Sequence, residues 1–136
     1  MNDGGGWADC WTITIARQPR WCLRVINRSV VVVRPKQPFL DWLHRVDPTS
    51  GELTLKDLRR DPNVYLLPTC DTEEQMEGRL KHVCQWIFEG QLNGWYTVEE
   101  VWPADRSMKV FREWFEYEFH SMAIDLTRRP LISEDL

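Results

Sequence analysis

The chain has 136 residues, of which 43% are hydrophobic and 28% charged, and its formal net charge is −4. That length suits one domain burying about two thirds of its unfolded surface, so neither disulfides nor a structural metal is required, and the composition excludes disordered and collagen-like classes. The longest apolar run, Val30 to Val33, is far short of the roughly 20 residues of a membrane helix, and the first residues lack the pattern of a secretory signal; a cytoplasmic protein without a membrane partner is expected.

Charge divides unevenly. Residues 1–60 carry 10 Lys+Arg against 6 Asp+Glu, net +4, while residues 61–136 carry 7 against 15, net −8. The two halves are expected to attract each other on folding.

In chain order, residues 1–22 read as a mobile or loosely docked leader, with glycines at 4–6 and no face to bury. A single globular domain follows over 23–131, and 132–136 is a tail. The run S-V-V-V-V-R at 29–34 does not alternate, the pattern of a central strand covered on both faces. Pro35 and Pro38 end it, and Pro38 opens a helix over 39–46 whose Phe39, Leu40, Leu43 and Val46 share a face. Turn chemistry at 47–51 precedes a short helix capped by Thr54, and N-V-Y-L-L at 63–67 is a second strand.

The clearest helix runs over 72–92. Asp71 is its N-cap with Glu74 at N3, Met76, Leu80, Val83, Cys84, Ile87, Phe88 and Leu92 recur at helical spacing, and Asn93-Gly94 is its stop. Thr97 and Glu100 form a second capping pair. Ser107 caps a last helix over 107–118, lined by Met108, Phe111, Phe115 and Phe119, with Lys109/Glu113 and Arg112/Glu116 as i,i+4 pairs. Residues 118–126 can extend that helix or alternate as a strand; a strand from about Phe119 is favoured. The expected fold is α/β or α+β, a small mixed sheet of about three strands flanked by three main helices, with Trp42, Trp86 and Trp114 at the edges of the helical stripes.

Chemistry is sparsely marked. Arg34 and Lys36 lie between a strand end and a helix start, where open sheets place anionic ligands, although a solvated loop pairing with the acidic half explains them more simply. His120, near Glu118, Ser121 and Asp125, is the one candidate for acid–base catalysis, yet a strand would put Ser121 and Asp125 on the other face, and a hydrogen-bonded histidine near the core is the simpler reading. Trp95, Tyr96 and Trp102 are residue types that anchor interfaces, and the alternative is that they close the end of the core. Cys10, Cys22, Cys70 and Cys84 match no C-x-x-C pair, so free thiols, no metal and no cofactor are expected. Arg17, Arg20, Arg24 and Arg28 alternate with Trp11 and Trp21, but a pI near 5.4 and the lack of a recognition motif argue against nucleic acid.

The blocks N-R-S-V-V-V-V-R-P-K-Q-P-F-L-D-W-L (27–43), Y-L-L-P (65–68) and W-P-A-D-R-S-M-K-V-F-R-E-W-F-E-Y-E-F-H-S-M-A-I-D-L (102–126) resemble a family of small bacterial proteins of unknown function. The resemblance covers roughly residues 27–131 and implies a bacterial cytoplasmic protein, with no residue role attached. The expected function is non-enzymatic, an interaction or regulatory module with a protein partner or a second copy of the chain. The alternative is a small enzyme or a binding protein for an anionic small molecule.

Overall fold

The computed structural model describes residues 24–135, which fall into two compact units, residues 24–27 with 122–135 and residues 28–121. The leader read at 1–22 lies outside the described residues. In chain order the elements are β1 (Arg24–Ile26), β2 (Arg28–Pro35), α1 (Gln37–Val46), α2 (Leu55–Leu58), β3 (Asn63–Pro68), α3 (Glu73–Trp95), α4 (Met108–Trp114), β4 (Phe115–His120) and β5 (Ala123–Asp125). Single 3₁₀ turns stand at Pro48–Ser50 and Glu99–Val101.

In the first unit β1 pairs antiparallel with β5, Arg24 opposite Asp125. An Asx turn ends β5, since the Asp125 carboxylate accepts the Thr127 backbone N–H and hydroxyl, each at 2.8 Å. Those bonds, the backbone one first, hold the Asp125 carboxyl below the usual carboxylate range.

The second unit is a three-stranded sheet in the order β3-β2-β4, so the valine run is the central strand, as its composition implies. Both pairings are antiparallel, Val31 lying between Tyr65 and Phe119 and Val33 between Asn63 and Tyr117. The molecule is thus a mixed helix-and-strand fold whose sheets need no parallel crossover.

Side chains alternate across each strand. Val31, Val33, Leu67 and Phe115 are buried and Tyr65, Tyr117 and Phe119 partly so, packed with Phe39, Trp42 and Leu43 of α1, Leu80, Ile87 and Phe88 of α3, and Phe111 of α4. The opposite face carries Val64 and Leu66, 58% and 52% exposed, beside Glu116, Glu118 and His120. Among the described residues helices therefore cover one face only, which corrects the expectation of a strand covered on both. Val30 on the open face is nonetheless buried and Val32 half-buried, because a central strand has flanking residues on two sides.

Local caps explain where the helices begin. Thr54 and Asp57 form a capping box on α2, and the Thr54 backbone and hydroxyl bonds hold the Asp57 carboxyl below its usual value. At α3 the cap is Thr72 with Gln75 at N3, not Asp71 with Glu74, since Thr72 Oγ1 accepts the Gln75 N–H at 3.2 Å and Gln75 Oε1 accepts the Asp71 and Thr72 N–H groups. Nor does α3 stop at Asn93-Gly94. Gly94 has no positive φ, and the helix runs to Trp95, closed by the Tyr96 N–H on the Leu92 carbonyl at 2.9 Å. Tertiary contact ends it: Tyr96 packs on the core and its carbonyl accepts Trp102 Nε1–H at 2.8 Å.

Two further expectations change. Thr97 caps nothing, the next turn starting after Val98, and Ser107 makes no side-chain cap on α4. α4 ends at Trp114, four residues earlier than expected, and β4 starts at Phe115. Phe111, Phe115 and Phe119 satisfy a four-residue helical spacing, but Phe115, Tyr117 and Phe119 also satisfy a two-residue one, and the open edge of β2 makes the strand worth more. Glu116 consequently pairs with Arg59 rather than Arg112, which bonds Glu77 at 3.4 Å.

The glycines of α3 are not demanded by packing. A Cβ built on Gly78 or Gly90 meets no atom within 4 Å, and neither residue has a positive φ. Gly78→Ala is therefore expected to raise stability by about 0.5–1 kcal/mol, read as an upward shift of the urea midpoint at constant slope.

Candidate functional site

The structure brings Arg34 and His120 to one surface but not into one pocket. They lie on neighbouring strands of the open sheet face, joined by Glu118: Arg34 Nη1 donates to Oε1 at 3.1 Å, and His120 Nε2 lies 2.8 Å from Oε2. Arg34 first and His120 second hold the Glu118 carboxyl below the usual glutamate range, and Arg59 does the same for Glu116. These pairs, with Arg24–Asp125, join the basic first half of the chain to the acidic second half.

Because folding lowers both values, their contribution is complete above the ordinary glutamate pKa of about 4.3 and disappears as pH falls through the lower folded values. Urea midpoints recorded from neutral to acid pH should fall only below that point, and Glu118→Gln should flatten the fall. A steady loss from neutral pH downward would contradict the assignment. The groups are about half exposed, so the effect is small.

Lys36 serves a different purpose. Its Nζ donates to the Arg112 carbonyl at 2.9 Å and its backbone N–H to the Trp114 carbonyl at 2.7 Å, so it satisfies carbonyls that the end of α4 leaves without partners. A lysine at a helix C-terminus also complements the negative end of the helix dipole. Arg34 and Lys36 thus both have internal partners, and an anion docking there would have to displace them. His44, on the outer side of α1, is bonded to the Leu53 carbonyl at 3.0 Å.

The aromatic candidates separate. Tyr96 and Trp102 are half-buried against the core, and Trp42 Nε1–H donates to the Val101 carbonyl at 2.9 Å, so the loop after α3 is fastened by indole hydrogen bonds. Trp95 remains 37% exposed and lines a cleft of about 240 Å³ together with Pro62, Asn63, Gly90, Gln91 and Gly94. Gln91 is buried there and donates to the Tyr65 hydroxyl at 2.8 Å.

Trp86 is the residue the sequence reading misplaces. Expected at the edge of a helical stripe, it is 74% exposed. Leu80, Cys84, Ile87, Phe88 and Gln91 occupy the buried side of α3, whereas Gly78, His82 and Trp86 follow one another at four-residue intervals on the outer side. That spacing was the available signal. Composition alone, which assigns tryptophan to cores, conceals it.

Cys70 and Cys84 are free and buried, and burial raises the Cys84 thiol pKa above its usual value. Among the described residues no cluster of His, Cys, Asp and Glu has the geometry of a metal site, and no helix is long and apolar enough to cross a membrane. No protein-family model, curated protein or solved structure matches the chain.

Proposed function

We propose that the chain is a non-enzymatic binding module that recognises a protein partner through the outer face of α3, with Trp86 as anchor. Trp86 carries the reading: a large indole left mostly exposed at mid-helix gains little for the free fold, whereas desolvated tryptophans dominate the energetics of protein interfaces. Gly90, one turn further along, leaves open space beside it. The partner is taken to be a cytoplasmic bacterial protein or a second copy of the chain, the setting that the resemblance of residues 27–131 implies. Arg34, Lys36 and His120, each already bonded within the unit, favour this reading over catalysis on the sheet face.

Sedimentation velocity at low and high micromolar concentration, paired with affinity purification from the native host, tests it. Wild type should form a dimer or retain a defined protein, and Trp86→Ala should lose that species while keeping the same circular dichroism spectrum. A monomer at every concentration whose retained proteins do not change with the substitution would overturn the proposal.

A further inference from the structure

Beside the N-terminal end of α3 lies an open depression of about 390 Å³, bordered by the buried Cys70 and the exposed Asp71, Gln75, Gly78, Arg79 and His82. Its volume is within the range of small-molecule sites. One wall is the loop before the helix, and it is held in place. The buried Ser29 hydroxyl accepts the Cys70 N–H at 2.9 Å and lies 3.3 Å from the Cys70 carbonyl, while Gln75 Oε1 accepts the Asp71 N–H at 2.7 Å. The other wall is α3 itself, where Gly78 adds no side chain and a Cβ built on it would meet nothing within 4 Å.

The lining carries charges of both signs. Arg79 and Asp71 face the same cavity with opposite sign, and among the described residues neither side chain makes an ion pair. A ligand of a single charge would satisfy one of them and oppose the other. We propose that this cavity binds a small zwitterion of the α-amino-acid class, its carboxylate on the Arg79 guanidinium and its ammonium on the Asp71 carboxylate. A guanidinium presents a planar fork that matches a carboxylate in two parallel hydrogen bonds. His82, one turn beyond Gly78 on the outer row, stands where it can read the ligand's side chain. This site is separate from the Trp86 surface, so either can fail without the other.

The test is a titration of the full chain, ¹⁵N-labelled, with each of the twenty protein amino acids in turn, and with acetate and methylamine as half-ligand controls. At least one amino acid should move the amide resonances of Cys70, Gly78, Arg79 and His82 saturably, while acetate and methylamine bind much more weakly. Arg79→Ala and Asp71→Asn should each weaken that binding about tenfold, the equivalent of one charge-assisted hydrogen bond. Gly78→Leu, which fills the cavity and replaces a helical glycine by a stronger helix former, should stay folded and lose binding altogether. No saturable shift with any amino acid, acetate binding as tightly as the best amino acid, or undiminished binding by Gly78→Leu would each overturn the proposal.

Discussion

Phe88→Ala is expected to destabilise the fold by roughly 3–5 kcal/mol, a large share of the 5–15 kcal/mol that holds most domains together. Phe88 has no exposed surface and stands at the centre of the aromatic core, its ring 5.0 Å from that of Phe115 at a 90° interplanar angle, 5.4 Å from Trp114 and 6.2 Å from Phe111. Truncation removes the apolar burial, leaves a cavity between α3, α4 and β4, and abolishes three edge or tilted ring contacts, each worth about 0.5–1.5 kcal/mol. These elements cannot close the gap easily, because Lys36 fastens the junction of α4 with β4 from the start of α1. Urea unfolding followed by near- and far-ultraviolet circular dichroism should show a midpoint shifted far down and a weakened near-ultraviolet signal. Trp86→Ala, half a turn away on the same helix, is the control and should change stability by no more than about 0.5 kcal/mol, as exposed positions do. A loss below about 1.5 kcal/mol at Phe88 would mean that the core collapses around the missing ring, and the described packing would be wrong.

The contrast between Phe88 and Trp86 also marks how far sequence alone carries. The valine strand, α1 with its proline start, β3 and most of α3 are legible because periodicity and proline punctuation agree for them, although the caps of α3 fall on other residues than expected. Agreement breaks down where two periods fit the same residues. Phe111, Phe115 and Phe119 can be spaced for a helix, and only the unpaired edge of β2 decides for a strand from Phe115. A run of valines reads as buried on both sides, yet strand order, which depends on residues 30 to 90 positions away, leaves Val64, Leu66 and Glu118 on an open face. The candidate sites follow the same logic. Arg34 and His120 are each visible in the sequence, but their common partner Glu118 appears only once β4 is registered against β2. Arg79, Asp71 and Gly78 carry no motif, and it is the fixed loop around Cys70 that makes them one cavity.

That loop supplies the second large effect. Ser29→Ala is expected to cost about 1–3 kcal/mol, because a buried donor is left without a partner and no new apolar contact compensates. Ser29 is fully buried on the core side of the central strand, and its hydroxyl serves two other segments: it accepts the Cys70 N–H at 2.9 Å and lies 3.1 Å from the Ser121 carbonyl and 3.3 Å from that of Cys70, donating to one at a time. Deleting the oxygen orphans the Cys70 N–H between β3 and α3 and unfastens β2 from the residue that follows β4. The global midpoint should fall accordingly, and native-state hydrogen exchange should quicken more at Cys70 and Asp71 than at the Val31 or Leu80 amides, since the loop is released before the core. A substitution that lowers the midpoint evenly, with Cys70 exchange unchanged relative to the core, would show that the hydroxyl stabilises the sheet but does not hold the loop. If the loop is released as expected, amino-acid binding at Arg79 and Asp71 should weaken with it while self-association or partner binding at Trp86 persists, because the Cys70–His82 wall depends on Ser29 and the far end of α3 does not.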